Sequence, residues 1–293
     1  MGSDPHLPAD LIAAVGAPVL AAQRASGGSI SAAWLLECAD GTRRFAKTLP
    51  TAPVGFFAAE ARGLAWLAEA GALPTPRVHG HTPPDAPGGF LLLEAIAVGG
   101  PTGGRSWEAL GRGLAALHRA HPDELGLNHD NFIGRLPQPN RAAPGWDWPT
   151  FYVERRLRPQ VDRAQDRGLL DIRLRRTLDR VLSRVPALVG PHEPPARLHG
   201  DLWSGNVVFD IRGQPWLIDP AVAGGHRELD LAMMRLFGGF PERAFAAYGE
   251  AYPLAPGATE RVDLYQLYYL LVHLNLFGAR YRGSVAAAAG RYV

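Results

Sequence analysis

The segment "HGDLWSGN" sets a carboxylate, Asp201, five positions ahead of a carboxamide, Asn206, and a second carboxylate, Asp219, follows after two short apolar runs. A carboxylate on a tight loop can orient a hydroxyl and take its proton. An amide oxygen and another carboxylate are hard donors of the kind a divalent cation prefers. Together they suit transfer of a phosphoryl group to a hydroxyl, in which positioning and charge stabilisation do most of the work. Asp-x4-Asn alone is usually a turn or a cap. His-Gly-Asp-x4-Asn leading into apolar Val207-Val208-Phe209 and a strand-terminal Asp219 is a much rarer combination. The other residue that stands out is Lys47: of 30 basic residues it is the one lysine, and the remaining 29 are arginine. A compact ammonium fits between a phosphate oxygen and a carboxylate, where arginine's wider planar fork does not. Glu60 is the carboxylate expected to hold it.

These residues need a scaffold, and the sequence outlines one. Strands are expected at about 30–38 and 42–48, joined by Asp40-Gly41, a strong hairpin signal. Lys47 then sits at the end of the second strand. The segment after Pro53 has Phe57, Leu64 and Leu67 at helical spacing, with Gly71 as a stop, so Glu60 lies on a helix. "PRVHGHT" and "GGFLLLEAI" give two further strands. From about residue 105 the periodicity turns helical. A stretch rich in Pro, Asn and Trp, 122–149, reads as a long loop region, and helices follow at roughly 150–166 and 168–186. Short strands at 206–210 and 215–219 flank the candidate cation ligands, and the remainder is mostly helical. The expected fold class is α+β: a small antiparallel-sheet lobe, 1–95, and a larger helical lobe, 96–293, joined near residues 94–100.

The spacing of Asp201 and Asn206 is that of the protein-kinase catalytic loop, and Asp219 stands where such enzymes carry their metal-binding aspartate. Lys47 occupies the place of the lysine that contacts nucleotide phosphates. In that setting Gly27, Gly28 and Ser29 of "SGGSIS" could bring backbone N–H groups to the phosphates. The backbone of Glu94, Ala95 and Ile96 would meet adenine. No Ala-Pro-Glu segment follows Asp219, and "ELDLAM" already begins at residue 228, which leaves no room for a protein-substrate platform. The pattern resembles the small-molecule kinases of the aminoglycoside phosphotransferase and choline kinase type. Within them the segments "SGGSIS", "DNFIG", "PQPN", "WDWPTFYVERRLRPQ", "HGDLWSGN", "IDPAVAGGHRELDLAMMRLFGGFP" and "LYQLYYLLVHLNLFG" resemble the fructosamine kinase (ketosamine 3-kinase) family, in family order along nearly the whole chain. That resemblance implies ATP- and Mg²⁺-dependent phosphorylation of a ketosamine sugar hydroxyl. Asp201 would be the base, Asn206 and Asp219 the metal ligands, and Lys47 with Glu60 the nucleotide clamp. The alternative on the same fold is a kinase of an aminoglycoside or a choline-like alcohol, though no acidic cluster for a polycation is visible.

For a sugar pocket the candidates are Trp203, beside the base, Asp130 and Asn131 in the long loop region, and His226. Asp230, at the head of a helix, is expected to anchor the catalytic loop backbone. Tyr265, Tyr268, Tyr269 and His273 read as core packing. Composition sets the remaining bounds. A net charge of +2 with scattered arginines gives no electrostatic footprint for nucleic acid. One cysteine, Cys38, excludes an internal disulfide, and no apolar run reaches the length of a membrane span. The expectation is a cytoplasmic enzyme with a small-molecule partner; nothing in the sequence sets its oligomeric state.

Overall fold

The computed structural model describes residues 7–25 and 30–293. Gly27, Gly28 and Ser29, expected near the phosphates, lie outside the described residues. The chain forms two compact units: one built from the residues up to Ser106 together with Gly205–Pro220, the other from Trp107–Ser204 and Ala221–Val293. A single cut after residue 95 therefore does not describe the partition, because the hairpin carrying Asn206 and Asp219 belongs to the first unit.

The first unit is a five-stranded antiparallel sheet with strand order β1-β2-β3-β5-β4, where β1 is Val19–Ala25, β2 Ala32–Cys38, β3 Arg43–Thr48, β4 Val78–His81 and β5 Phe90–Glu94. The β2–β3 turn is made as its sequence suggests. Gly41 adopts a φ of 76°, and Asp40 accepts hydrogen bonds from the Thr42 N–H and hydroxyl at 2.9 and 2.6 Å. Strand β5 is buried on both faces, and its alternation sorts its side chains. Leu91 and Leu93 pack with Phe57, Ala61 and Leu64 of helix α2 (Phe56–Ala68). Phe90 and Leu92 pack with Leu36, Ala46 and Leu11 of helix α1 (Ala9–Val15). Lys47 pairs with Leu91 across the β3–β5 ladder, so its side chain faces α2. Glu60 lies on the same face of α2 as the buried Phe57, Leu64 and Leu67, at i−3, i+4 and i+7 from it.

The second unit is mainly helical. Its centre is the helix Val262–Phe277, apolar on nearly every side, against which the helices Arg158–Asp166, Glu228–Leu236 and Arg282–Gly290 pack. Tyr265, Tyr268 and Tyr269 are buried there as expected. Each hydroxyl finds an acceptor: the Val189 carbonyl, Gln138 Oε1 and the Gly200 carbonyl. The stretch 122–149, expected as loop, contains a small hairpin, Asn131–Ile133 with Leu136–Gln138. Two three-residue strands, Ala196–Leu198 and Ala223–Gly225, pair beside the Asp201 loop. No helix among the described residues is long and apolar enough to cross a membrane.

Candidate active site

The candidate residues divide between the two units. In the first, Lys47 Nζ lies 2.6 Å from Glu60 Oε1 and 2.5 Å from Asp219 Oδ1. Lys47 is 6% exposed. Burial by itself would push the ammonium toward neutrality, but Asp219 and Glu60 outweigh it and its pKa is raised. The Glu60 carboxyl is pushed up by the same burial, against the pull of Lys47. Asp219 reaches this position through a φ of 56°, the one positive value of a non-glycine residue among the described residues. Such a conformation costs about 1 kcal/mol or more and persists where the surroundings enforce it. Here the enforcement is the hairpin Val207–Phe209 with Pro215–Leu217. Beyond its end, the Ile218 N–H donates to the Asn206 carbonyl at 3.1 Å, and Asn206 Nδ2 donates to the Asp219 carbonyl at 3.4 Å. The β3–β5 ladder ends at Glu94, so Ala95 and Ile96 continue as backbone outside the sheet.

In the second unit, Asp201 sits on a loop held from below by Asp230, which is fully buried. The two carboxylate oxygens of Asp230 accept from the His199 and Gly200 N–H groups at 2.8 and 2.9 Å. This is the anchoring role expected of it. Gly200 has a φ of 81°, and a Cβ there would lie 2.0 Å from the Ala221 carbonyl oxygen, so only glycine permits the turn into Asp201. Tyr269 donates its hydroxyl to the Gly200 carbonyl at 2.9 Å. Sequence reasoning missed His118. Its Nε2 lies 3.2 Å from Asp230 Oδ2 and its Nδ1 2.9 Å from the Tyr248 hydroxyl, all in the buried interior. The available signal was a histidine on the apolar stripe of the helix Gly104–Arg119.

Two pocket candidates are placed elsewhere. His226 is 5% exposed, its ring stacked on that of Tyr265 at 5.4 Å and tilted against that of Trp148 at 6.2 Å. Burial pushes its imidazole down to about 4, and its Nε2 has no hydrogen-bond partner. It is a core ring, not a pocket wall. Asn131 is also buried, donating to the Val222 carbonyl at 2.9 Å and accepting from Gln138 and Asn140. With Gln138, which donates to the Ala221 carbonyl at 3.0 Å, it braces the chain just beyond Asp219-Pro220. Asp130 is exposed and accepts from the Asn140 N–H, closing the loop that carries Asn131. Trp203 remains 40% exposed, two residues past Asp201.

The donor set fits a magnesium ion. No cluster of three or more His, Cys, Asp or Glu that could hold a metal forms among the described residues. An amide and a carboxylate from one hairpin are the sparse hard-oxygen set on which Mg²⁺ rests when phosphates and water supply its other ligands. The Asp219 side chain is 35% exposed, against 13% for Glu60, so it is the open carboxylate of the pair.

The sequence model of the fructosamine kinase family matches residues 9–292. The chain belongs to the fructosamine kinase family. It is 42% identical over 267 residues to a protein of Lactiplantibacillus plantarum named as a probable ketoamine kinase, covering 90% of this chain and 91% of that one. It is 34% identical over 251 residues to the chloroplastic protein-ribulosamine 3-kinase of Arabidopsis thaliana, covering 85% and 76%. A crystal structure described as a candidate fructosamine-3-kinase from Thermobifida fusca superposes with a TM-score of 0.88 at 40% identity, over 99% of both chains. An aminoglycoside phosphotransferase superposes with a TM-score of 0.63 at 16% identity, over 96% of this chain and 95% of the other, which shows the shared α+β, protein-kinase-like fold.

Proposed function

We propose that this fructosamine kinase family member transfers the terminal phosphoryl group of ATP to a sugar hydroxyl of a ketosamine, a fructosamine or ribulosamine formed by glycation of an amine. The observation that carries the reading is the sole lysine of the chain, buried between Glu60 and Asp219. Lys47 would contact the α- and β-phosphates, and Glu60 would hold the ammonium at the correct height above β3. Asn206 and Asp219 would hold Mg²⁺, which supplies charge neutralisation at the phosphate oxygens. Asp201 would orient the acceptor hydroxyl and take its proton, its backbone fixed by Asp230 through His199 and Gly200. The backbone of Ala95 and Ile96, free of the sheet ladder, would meet the adenine edge. Trp203 would offer an apolar face to the sugar.

The experiment is an ATP-consumption screen of small glycated amines, with aminoglycosides and choline as controls. The expected result is turnover of ketosamines alone. Consumption driven by an aminoglycoside or by choline, with every ketosamine inert, overturns the substrate assignment while leaving the fold untouched.

A further inference from the structure

The second unit carries an aromatic surface that the proposed phosphoryl transfer does not use. Phe237 is 44% exposed and Phe277 39%, whereas Tyr265, Tyr268 and Tyr269, on the same helix as Phe277, are 0–1% exposed. The rings form one connected group around His273: Phe237 at 4.8 Å between centroids, Tyr281 at 5.1 Å and Phe277 at 5.4 Å, with Phe277 and Tyr281 6.2 Å apart. The Arg280 guanidinium lies over both Phe277 and Tyr281, at 5.3 and 5.2 Å. Contiguous aromatic area left open to water marks a recognition surface more often than a structural one. Stacking on two rings pre-orients the guanidinium fork, whose N–H edge then suits a carboxylate.

The position of this surface gives it a purpose. Gly239, with a φ of 92°, presses so closely on the Asp201 loop that a Cβ would lie 2.6 Å from Ser204 Cβ. Phe237, two residues earlier, is thereby tied to that loop. On the other side, Tyr269 bonds to the Gly200 carbonyl, and His273 Nδ1 lies 2.7 Å from the Tyr269 carbonyl one turn further on. Phe277 follows eight residues after Tyr269, about 12 Å along the helix at about 1.5 Å per residue. The rings therefore begin beside the Asp201 loop, at Phe237, and extend along the helix away from the turn that Tyr269 holds. Burial lowers the His273 pKa, so Arg280 supplies the positive charge of this group of rings.

We propose that Phe237, Phe277, Tyr281 and Arg280 form a subsite for the amine-derived end of the substrate, selecting adducts of free amino acids with apolar side chains. The side chain lies on the rings and the α-carboxylate meets Arg280. This rests on the reading of the chain as a ketosamine kinase with Asp201 at the acceptor hydroxyl.

The test compares fructose adducts of phenylalanine, of phenylalanine amide and of methylamine as substrates for the wild-type enzyme, Arg280→Gln and Phe277→Ala. The expected wild-type result is a kcat/KM about tenfold higher for the phenylalanine adduct than for its amide, carried by KM. Arg280→Gln collapses that acid-over-amide ratio to near one. Phe277→Ala lowers the preference for either phenylalanine adduct over the methylamine adduct. Equal kcat/KM for acid and amide in the wild type, or a ratio unmoved by Arg280→Gln, overturns the subsite while turnover of the methylamine adduct upholds the kinase reading. Failure of all three adducts and of their ribulose counterparts refutes both. Concentration-dependent dimerisation abolished by Phe277→Ala assigns the rings to self-association and overturns the subsite.

Discussion

Replacing Lys47 with arginine keeps the charge and changes only its shape, so it isolates geometry from electrostatics. One nitrogen at position 47 meets two carboxylates, at 2.6 Å and 2.5 Å, inside a residue that is 6% exposed. A guanidinium distributes its charge over a planar fork and cannot set one nitrogen at both points. A hydrogen bond between charged groups contributes about 1.5–3 kcal/mol. Loss of one such contact in the transition state corresponds to about a 10- to 150-fold fall in kcat/KM, at about 1.4 kcal/mol per decade. Displacement of the phosphates by the larger group adds to that, so we expect a loss of at least two orders of magnitude. The assay is steady-state ATP consumption on a saturating ketosamine, paired with thermal unfolding to show that the variant folds. A folded Lys47→Arg enzyme within threefold of wild type would refute the argument, because the lone lysine would then need only its charge.

Three further outcomes follow from the site and its supports. Asp201→Asn should abolish turnover and leave ATP affinity, measured by calorimetry, largely intact; near-normal rates would remove Asp201 from the role of base. Asp230→Ala strands the His199 and Gly200 N–H groups and His118 in a fully buried position. At about 1–3 kcal/mol for each orphaned group it should cost about 3 kcal/mol or more in denaturant unfolding, whereas Asp230→Asn should cost less. His226 has a folded pKa of about 4 against an unperturbed 6.5, so the unfolded chain binds the extra proton between those values. Its contribution, up to about 3 kcal/mol, is fully present above pH 6.5 and is lost as the pH falls toward 4. His226→Gln should flatten the unfolding midpoint over that window, and an unchanged pH profile would show that the buried ring does not titrate there.

Strands β2 to β5, the β2–β3 turn and the helix bearing Glu60 were legible because short-range pattern dictates them: alternation, an Asp-Gly pair, and apolar residues at three and four; strand β1, Val19–Ala25, was not read. Asp230 was assigned to the loop backbone from its place at a helix start, and its bonds to His199 and Gly200 agree. His226 and Asn131 were misplaced because polarity and proximity to Asp219 in sequence suggest a pocket, whereas burial depends on what packs against them. Trp148 and Tyr265 cover His226, and Gln138 and Asn140 satisfy Asn131. His118 under the loop left only the faint signal of a histidine on an apolar helix stripe, and the rings around His273 are assembled from Phe237, Tyr281 and the helix that carries His273 and Phe277, which are separate in sequence.

The sequence alone determined the kinds of chemistry available: one ammonium, an Asp-x4-Asn loop and a strand-terminal aspartate, whose spacing follows from backbone geometry within a few turns. Only the tertiary structure decided that Lys47 meets Asp219 from 172 residues away and that His226 does not reach a surface. Those outcomes rest on which faces of sheet and helix exclude water, a property of the packed chain that no local stretch encodes.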